Sequence, residues 1–413
     1  MALELSEHGQ PWGHLRAEMA AMRGHDLDWK HGRHGAYVWY AGEELEAVLG
    51  EAFAMFLVEN GLGLRAFPSI GRMEEETLAT VQWLLSAPET AAGIFTSGGT
   101  ESIFLAIHAA REWGKVHRPG ARRPTIVAAH SAHPAVSKAA HYLGMEVIRV
   151  PVGADYRADP AAMEAAVTAD TVALYASAPT YSLGLVDPVP ALGDLAVRHG
   201  LWLHVDACVG GILAPFVRQV GYPVPAFDFS VAGVASVSAD LHKSGYTAKP
   251  ASTVTFRTAE LREFARYSMD DWPSGLYSSY TFTGSRPGGA IAAAWAGMRF
   301  LGQAGYREIA AASMRAKQAI AAGVAAIPGV VVHGSPELWA FSFGSPEVKM
   351  GRVAAAMAKR GWMCGPTTSP PGIHVMCTPV HEPIAADYVA AVAECFDEVK
   401  AGAAPEATRA AYN

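Results

Sequence analysis

The sequence predicts an α/β fold built on a mostly parallel sheet. Between about residues 90 and 260, short apolar runs rich in β-branched residues alternate with stretches of helical periodicity. Hydrophobic residues make up 51% of the 413 positions and charged residues only 17%, so the chain can bury a large core rather than remain disordered or form a coiled coil. No run of about 18 uninterrupted apolar residues occurs, so the apolar content is expected to be spent on a globular interior.

The elements follow in order. Leu45, Val48, Leu49, Phe53, Phe56 and Leu57 recur at helical spacing between Glu44 and Val58, which predicts a helical arm over residues 1–60. Strands are expected at Thr125 to Ala128, Glu146 to Val150, Val172 to Ala176, Leu201 to Val205, Ala235 to Val237 and Thr253 to Phe256. Helices are expected between them, as at Ser102 to Trp113 and Pro134 to Leu143. Strands interleaved with helices imply right-handed crossovers and a sheet covered on both faces. Alanine-rich helices at Ala290 to Leu301 and Glu308 to Ala326, strands at Gly329 to His333 and Leu338 to Phe343, and a helix near Ala385 to Val399 then describe a smaller α+β unit. The division is a large α/β domain over 61–295 and a small C-terminal domain over 296–413.

Charge and cysteine usage narrow the function. The net charge is −7 with no basic cluster, which argues against nucleic acid as a partner. Cys208, Cys364, Cys377 and Cys395 have neither zinc-site spacing nor the density of a disulfide scaffold, so no metal is expected and a reducing cytoplasm fits. The N-terminus lacks the basic start and apolar run of a signal peptide, and a soluble protein without a membrane anchor is expected.

The familiar fingerprints GxGxxG, GxxxxGK[ST], HExxH and GxSxG are missing. What remains is a set of features at strand ends. Thr96-Ser97-Gly98-Gly99-Thr100-Glu101-Ser102 precedes a helical stretch, where two glycines and a helix N-terminus can cradle a phosphate. The same string alone also fits an ordinary glycine turn capped by Thr100 or Ser102. Asp206 closes an apolar strand and can serve as counter-ion to a protonated ring nitrogen, or simply cap the next turn. Cys208 reads as packing or pocket wall. Lys243, just past another strand and flanked by small residues, can supply a nucleophilic amine. Cradle, Asp206 and His242-Lys243, in that order on an α/β sheet, describe a pyridoxal 5'-phosphate site.

These strings resemble the sphingosine-1-phosphate lyase family, within the group II decarboxylase branch of fold-type I pyridoxal-phosphate enzymes. The likeness spans most of the chain. It rests on Thr96 to Ser102, Ser131-Ala132-His133, Gly184 to Pro188, Asp206 to Gly211, Ser238 to Tyr246, Asp271-Trp272-Pro273 with Gly275, Gly284 to Gly289, and Pro370 to His374. It implies a mostly parallel seven-stranded sheet. It also implies that Lys243 joins the cofactor as a Schiff base, Asp206 pairs with the pyridinium nitrogen and His133 stacks on the ring. Gly98, Gly99 and Thr100 with His242 would bind the cofactor phosphate. By the same resemblance the enzyme is a homodimer with shared active sites, Gly284 and Ser285 reaching the partner's cofactor phosphate. Lys249 and Tyr246 match the family's second lysine and nearby tyrosine, candidates for the base that takes a β-hydroxyl proton. Bland alternatives remain: His133 as an ordinary helix-start residue, and Lys249 and Tyr246 as solvated surface.

Asp206-Ala207-Cys208 and Asp240-Leu241-His242-Lys243 follow the lyase form rather than the Asp-Ala-Ala-Tyr and Asn-Pro-His-Lys of related decarboxylases. The resemblance therefore implies an aldehyde-lyase that cleaves the Cα–Cβ bond of a β-hydroxy amine. The alternatives are an amino-acid decarboxylase or a non-catalytic cofactor-binding protein. Two departures concern the substrate. Gly63 stands where the family has a phosphate-binding histidine, with Arg65 two positions on as a replacement cation. The stretch Tyr37-Val38-Trp39-Tyr40 is offset from the family's Tyr-Trp-Gly, so either Tyr37 or Tyr40 is the equivalent substrate-contacting tyrosine.

Overall fold

The computed structural model describes residues 5–402. Helices α1 (Trp12–Arg23), α2 (Glu43–Met55) and α3 (Pro68–Leu84) come first. The chain then alternates strand and helix through β1 (Ala92–Thr96), α4 (Gly99–His117), β2 (Thr125–Ala129), α5 (Ala135–Leu143), β3 (Glu146–Val150), α6 (Pro160–Ala165) and β4 (Thr171–Ser177). It continues with α7 (Val189–His199), β5 (Trp202–Asp206), α8 (Ala214–Gln219), β6 (Val234–Ala239), β7 (Ser252–Phe256) and α9 (Ala259–Glu263).

Seven strands form one sheet in the order β1-β7-β6-β5-β4-β2-β3. Only β7 opposes its neighbours: it pairs antiparallel with both β1 and β6, while β6, β5, β4, β2 and β3 pair in parallel. Strands β1, β2, β4, β5 and β7 are buried along their whole length, the continuous apolar reading expected of a sheet covered on both faces. One face packs against α4 and α5 through Ile103, Ile107, Val136 and Ala140, and the other against a larger core that includes Leu192, Phe216, Phe227 and Ile320.

A second, two-stranded sheet follows, the largely exposed hairpin β8 (Tyr267–Met269) and β9 (Tyr277–Ser279). The stretch α10 (Gly288–Ala325) then holds the two predicted alanine-rich helices, divided at Gly302, whose φ of 54° no regular helix contains. Strands β10 (Val331–Val332) and β11 (Ala340–Gly344) lead to α11 (Met350–Lys359), and β12 (Gly365–Thr368) and β13 (Pro371–Met376) to α12 (Ala385–Lys400). These four strands make an antiparallel sheet ordered β10-β11-β13-β12. Strand β1, helices α3 and α11, and the strands β12 and β13 were not among the predicted elements. Short Gly- and Pro-containing runs such as Pro366 and Pro371 carry weak strand signals, and only their pairing partners make them strands. Among the described residues, no helix is long and apolar enough to cross a membrane.

The C-terminal sheet is tied to the large one at the segment after β4. Gly184 adopts φ 72° and lies so close to β11 that a Cβ there would sit 1.9 Å from the Ala340 carbonyl oxygen. Beside it, the buried Asp187 carboxylate accepts the backbone N–H groups of Ala158 and Ser177 at 2.9 and 2.8 Å, while burial pushes its pKa up to about 6. Arg157 spans the junction, donating to the Val186 carbonyl at 3.0 Å and pairing with Glu337 at 2.5 Å. Gly184→Ala is therefore expected to cost roughly 2–4 kcal/mol from a disfavoured φ and a backbone clash together. Urea denaturation of the variant beside Gly200→Ala, whose added Cβ would meet nothing within 4 Å, measures the part due to the clash.

Candidate active site

Parallel pairing brings the carboxyl ends of β2, β4, β5 and β6 to one edge of the sheet, and β1, antiparallel to β7 as β6 is, ends there too, where open α/β folds bind ligands. A cavity of about 340 Å³ opens there, bounded by Ser97 to Glu101 after β1, His133 after β2, Tyr181 after β4, Asp206 on β5, and Asp240, His242 and Lys243 after β6.

The cradle is shaped by glycine. A Cβ on Gly99 would lie 2.7 Å from Cys208 Sγ and 2.9 Å from Asp240 Oδ2, so no larger residue fits. Gly98 caps α4 without a side-chain bond, leaving the first N–H groups of a 19-residue helix available to an anion. His242 stands beside them. Its Nδ1 accepts the Ala251 N–H at 3.1 Å, so the neutral ring carries its proton on Nε2. Burial, partly offset by the Asp240 charge, holds its pKa below the usual histidine value. The ring is thus a donor toward the cradle.

Asp206 is buried and well supplied with donors. Tyr175 donates its hydroxyl to Oδ2 at 2.6 Å, and the Cys208 N–H and the Ser238 hydroxyl donate to Oδ1 at 3.1 and 3.4 Å. Burial alone would raise its pKa, but His133, these donors and Lys243 outweigh it and the carboxyl stays below its ordinary range. It is a fixed anion in a dry place. His133 accepts the Ala135 N–H on Nδ1 at 3.2 Å, and burial lowers its pKa, so it presents a neutral ring to the cavity. Lys243 Nζ lies 2.8 Å from the Asp240 carboxylate.

These residues fit pyridoxal phosphate. A cradle that a Cβ would fill, a histidine N–H beside it, a buried carboxylate at the far end and a lysine between them answer the phosphate, the ring nitrogen and the aldehyde in turn. Sequence reasoning brought together Gly98, Gly99, Thr100, His133, Asp206, His242 and Lys243, all of which line this cavity. It missed Tyr175, Tyr181 and the part played by Asp240. Tyr175 is reachable only through strand register, where it pairs with His204 of β5. Asp240 lies one turn before Lys243, and the spacing i, i+3 could have raised it.

Other predicted residues lie elsewhere. A neighbouring cavity of about 670 Å³, larger but beyond the cradle, shares His133 and Tyr181 and is lined by Tyr37, Arg149 and His374. A third, about 600 Å³ and mostly apolar, holds Tyr40, Tyr246 and Lys249. Tyr246 is buried there with its φ at 55°, burial pushes its pKa up despite a bond with Ser313, and it does not line the cofactor cavity. A phenol so placed is a poor base. Lys249 keeps contact with solvent, yet burial around it and the charge of Lys243 lower its pKa. Arg65 is exposed and lines none of these cavities. Gly284 and Ser285 also lie outside them, Ser285 accepting from Asn60 Nδ2 at 3.0 Å.

Comparison with known proteins gives consistent likenesses. Residues 4–343 match the model of the pyridoxal-dependent decarboxylase conserved domain. The chain is 37% identical over 396 residues to a sphingosine-1-phosphate lyase of Oryza sativa subsp. japonica, covering 94% of this chain and 73% of that protein. It is 38% identical over 388 residues to one of Arabidopsis thaliana, covering 92% and 71%. Among solved structures, a sphingosine-1-phosphate lyase of Burkholderia pseudomallei superposes with TM-score 0.93 at 36% identity, covering 97% of this chain and 94% of that one. A glutamate decarboxylase of Lactobacillus brevis shares the fold at TM-score 0.82 and 17% identity.

The cradle yields a direct expectation. Gly99→Ala should raise the dissociation constant for pyridoxal phosphate by roughly tenfold or more, about 1.4 kcal/mol per decade. Gly98→Ala, whose Cβ would make an ordinary 3.5 Å contact with His242, should cost less. Absorbance titration of both variants with the cofactor checks the order.

Proposed function

From the premise that this chain belongs to the pyridoxal-dependent decarboxylase family, and within it to the sphingosine-1-phosphate lyases, we propose that it cleaves the Cα–Cβ bond of a β-hydroxy amine related to sphingosine 1-phosphate. It is a pyridoxal-phosphate-dependent carbon–carbon lyase. The observation that carries the reading is the convergence of Asp206, Lys243, His133 and the Gly98-Gly99 cradle in one buried cavity at the strand ends.

When bound, pyridoxal phosphate supplies an electron sink for the carbanion left as the carbon–carbon bond breaks. The N–H groups of Gly98 to Thr100 and the Nε2–H of His242 hold the phosphate, and Lys243 supplies the amine that anchors the cofactor. Asp206, kept ionised by Tyr175 and Cys208, holds the proton on the ring nitrogen. His133 offers the flat neutral face against which a ring packs. Of the two candidate bases, Lys249 is the better placed to accept the β-hydroxyl proton: it shares the apolar cavity of Tyr246 rather than lining the cofactor cavity, but it keeps contact with solvent and its lowered pKa makes the neutral amine available nearer to neutral pH than for a free lysine.

The lining of the neighbouring cavity favours aldehyde release over decarboxylation. A carboxylate in the site calls for a free cation. Arg149, the guanidinium there, is committed to the carbonyls of His130 and Ala132 and to Ser137 at 3.0–3.1 Å. His374 is neutral, its pKa lowered to about 4 by burial. The surface suits an amine without a carboxylate. Incubating the holoenzyme with phosphorylated β-hydroxy amines and with amino acids should give aldehyde from the former and no carbon dioxide from the latter. Carbon dioxide without aldehyde would mean a decarboxylase.

We further propose a cytoplasmic homodimer. All four cysteines are free thiols, as a reducing compartment allows. Ser285 is exposed outside its own cavity, and the segment leading to it exposes Trp272, Leu276 and Phe282, apolar side chains suited to a partner subunit. Dilution through the dimer dissociation range, followed by mass photometry, should release cofactor and abolish activity together; a fully active monomer would contradict shared sites.

A further inference from the structure

The cavity holds two buried carboxylates where a single counter-ion to the ring nitrogen would suffice. Asp206 is accounted for above, whereas Asp240 is fully buried against Gly99 at the start of α4. Its Oδ2 lies 2.8 Å from Lys243 Nζ and 3.8 Å from His242 Nε2. Its Oδ1 accepts the hydroxyl of Ser252 at 2.5 Å. That bond fixes a chain. Ser252, having given its one proton to the carboxylate, must accept from Ser102 at 2.8 Å, and Ser102 must accept from Thr96 at 2.6 Å. Three buried hydroxyls thus point their dipoles at Asp240, and the positive end of helix α4 adds to them. This surrounding is built for a permanent anion.

We propose that Asp240 is the positioning residue that docks the free amine of Lys243 as an ammonium, holding it beside the cradle and unreactive whenever it is not joined to the cofactor. The pairing stands on this chain's own geometry; its bearing on catalysis rests on the reading of Lys243 as the cofactor lysine. Burial alone would lower the pKa of Lys243, but Asp240 foremost, with Cys208 and Asp206, raises it well above the free value. The neighbours that face this amine are Asp240, Asp206, Cys208, His133, His242 and Lys249, and Lys249 shifts the opposite way. Two lysines of one site are therefore set apart, one stored as a cation and one released toward the neutral amine.

The test is competitive acylation of the full-length chain freed of cofactor, across pH 6 to 12, with peptide mass spectrometry giving a midpoint for each lysine. In the wild type, the midpoint of Lys243 should lie above that of Lys249; equal midpoints, or the reverse order, would overturn the proposal without any variant. In Asp240→Asn, the Lys243 midpoint should fall by roughly one to three pH units, the range for loss of an adjacent opposite charge, and labelling near neutral pH should rise at least about tenfold. In Asp206→Asn it should fall by less. An unchanged midpoint in Asp240→Asn, or an equal fall in both variants, would refute a specific pairing, with circular dichroism confirming that the variants are folded. Borohydride reduction of the wild-type holoenzyme separates the two readings: cofactor fixed to a lysine other than Lys243 would refute the assignment of the cofactor lysine while leaving the Asp240 pairing as measured.

Discussion

Parallel pairing of β4, β5 and β6 is the constraint from which the site follows. Because strands that run the same way end at the same edge, residues more than a hundred positions apart in sequence, such as Thr100 and Asp206, meet there without any long-range code between them. The register matters as much as the direction. Tyr175 can donate to Asp206 because β4 and β5 are paired so that its side chain and that carboxylate share a face one step apart. Antiparallel β7 closes the arrangement by bringing Ser252 beside Ala239 and Asp240.

Burying two carboxylates in one small cavity is costly unless each is matched, and the two are matched differently. Asp206 is held by neutral donors, which leaves its charge unspent for a cationic ligand. Asp240 is held by a file of hydroxyls and spends its charge on Lys243. The histidines around them stay neutral because burial outweighs the nearby negative charge, so His133 and His242 act as a flat face and as a donor rather than as cations. Electrostatics here is a division of tasks among groups of identical type.

The C-terminal sheet contributes walls rather than charges. It is seated on the large sheet by the close approach of Gly184 to Ala340 and by the Arg157–Glu337 pair, and it brings Gly365 to Pro370 and His374 against Tyr181. A neutral His374, and an Arg149 whose Nη1 and Nη2 already donate to the carbonyls of His130 and Ala132 and to Ser137, leave that wall with less to offer a carboxylate. Specificity and fold therefore meet at the same junction, because the segment that locks the two sheets also borders the space a substrate must occupy.

Much of this was legible in the sequence by itself. Alternating β-branched and helical runs gave six of the seven strands of the large sheet, because strands of a sheet covered on both faces read as short, mostly apolar runs. Gly98-Gly99, Asp206 and His242-Lys243 could be picked out because each sits where a strand stops, and polar residues at such places are rarely there for packing. Tertiary structure alone decided the rest. It placed Tyr246 in another cavity, left Arg65 at the surface, and made strands of Gly365–Thr368 and Pro371–Met376. It also turned Asp240 from a letter in a string into the partner of Lys243. Local patterns report what a backbone segment prefers, whereas the direction of a side chain and the charge it retains depend on which other segments pack against it, and no single stretch of chain contains that information.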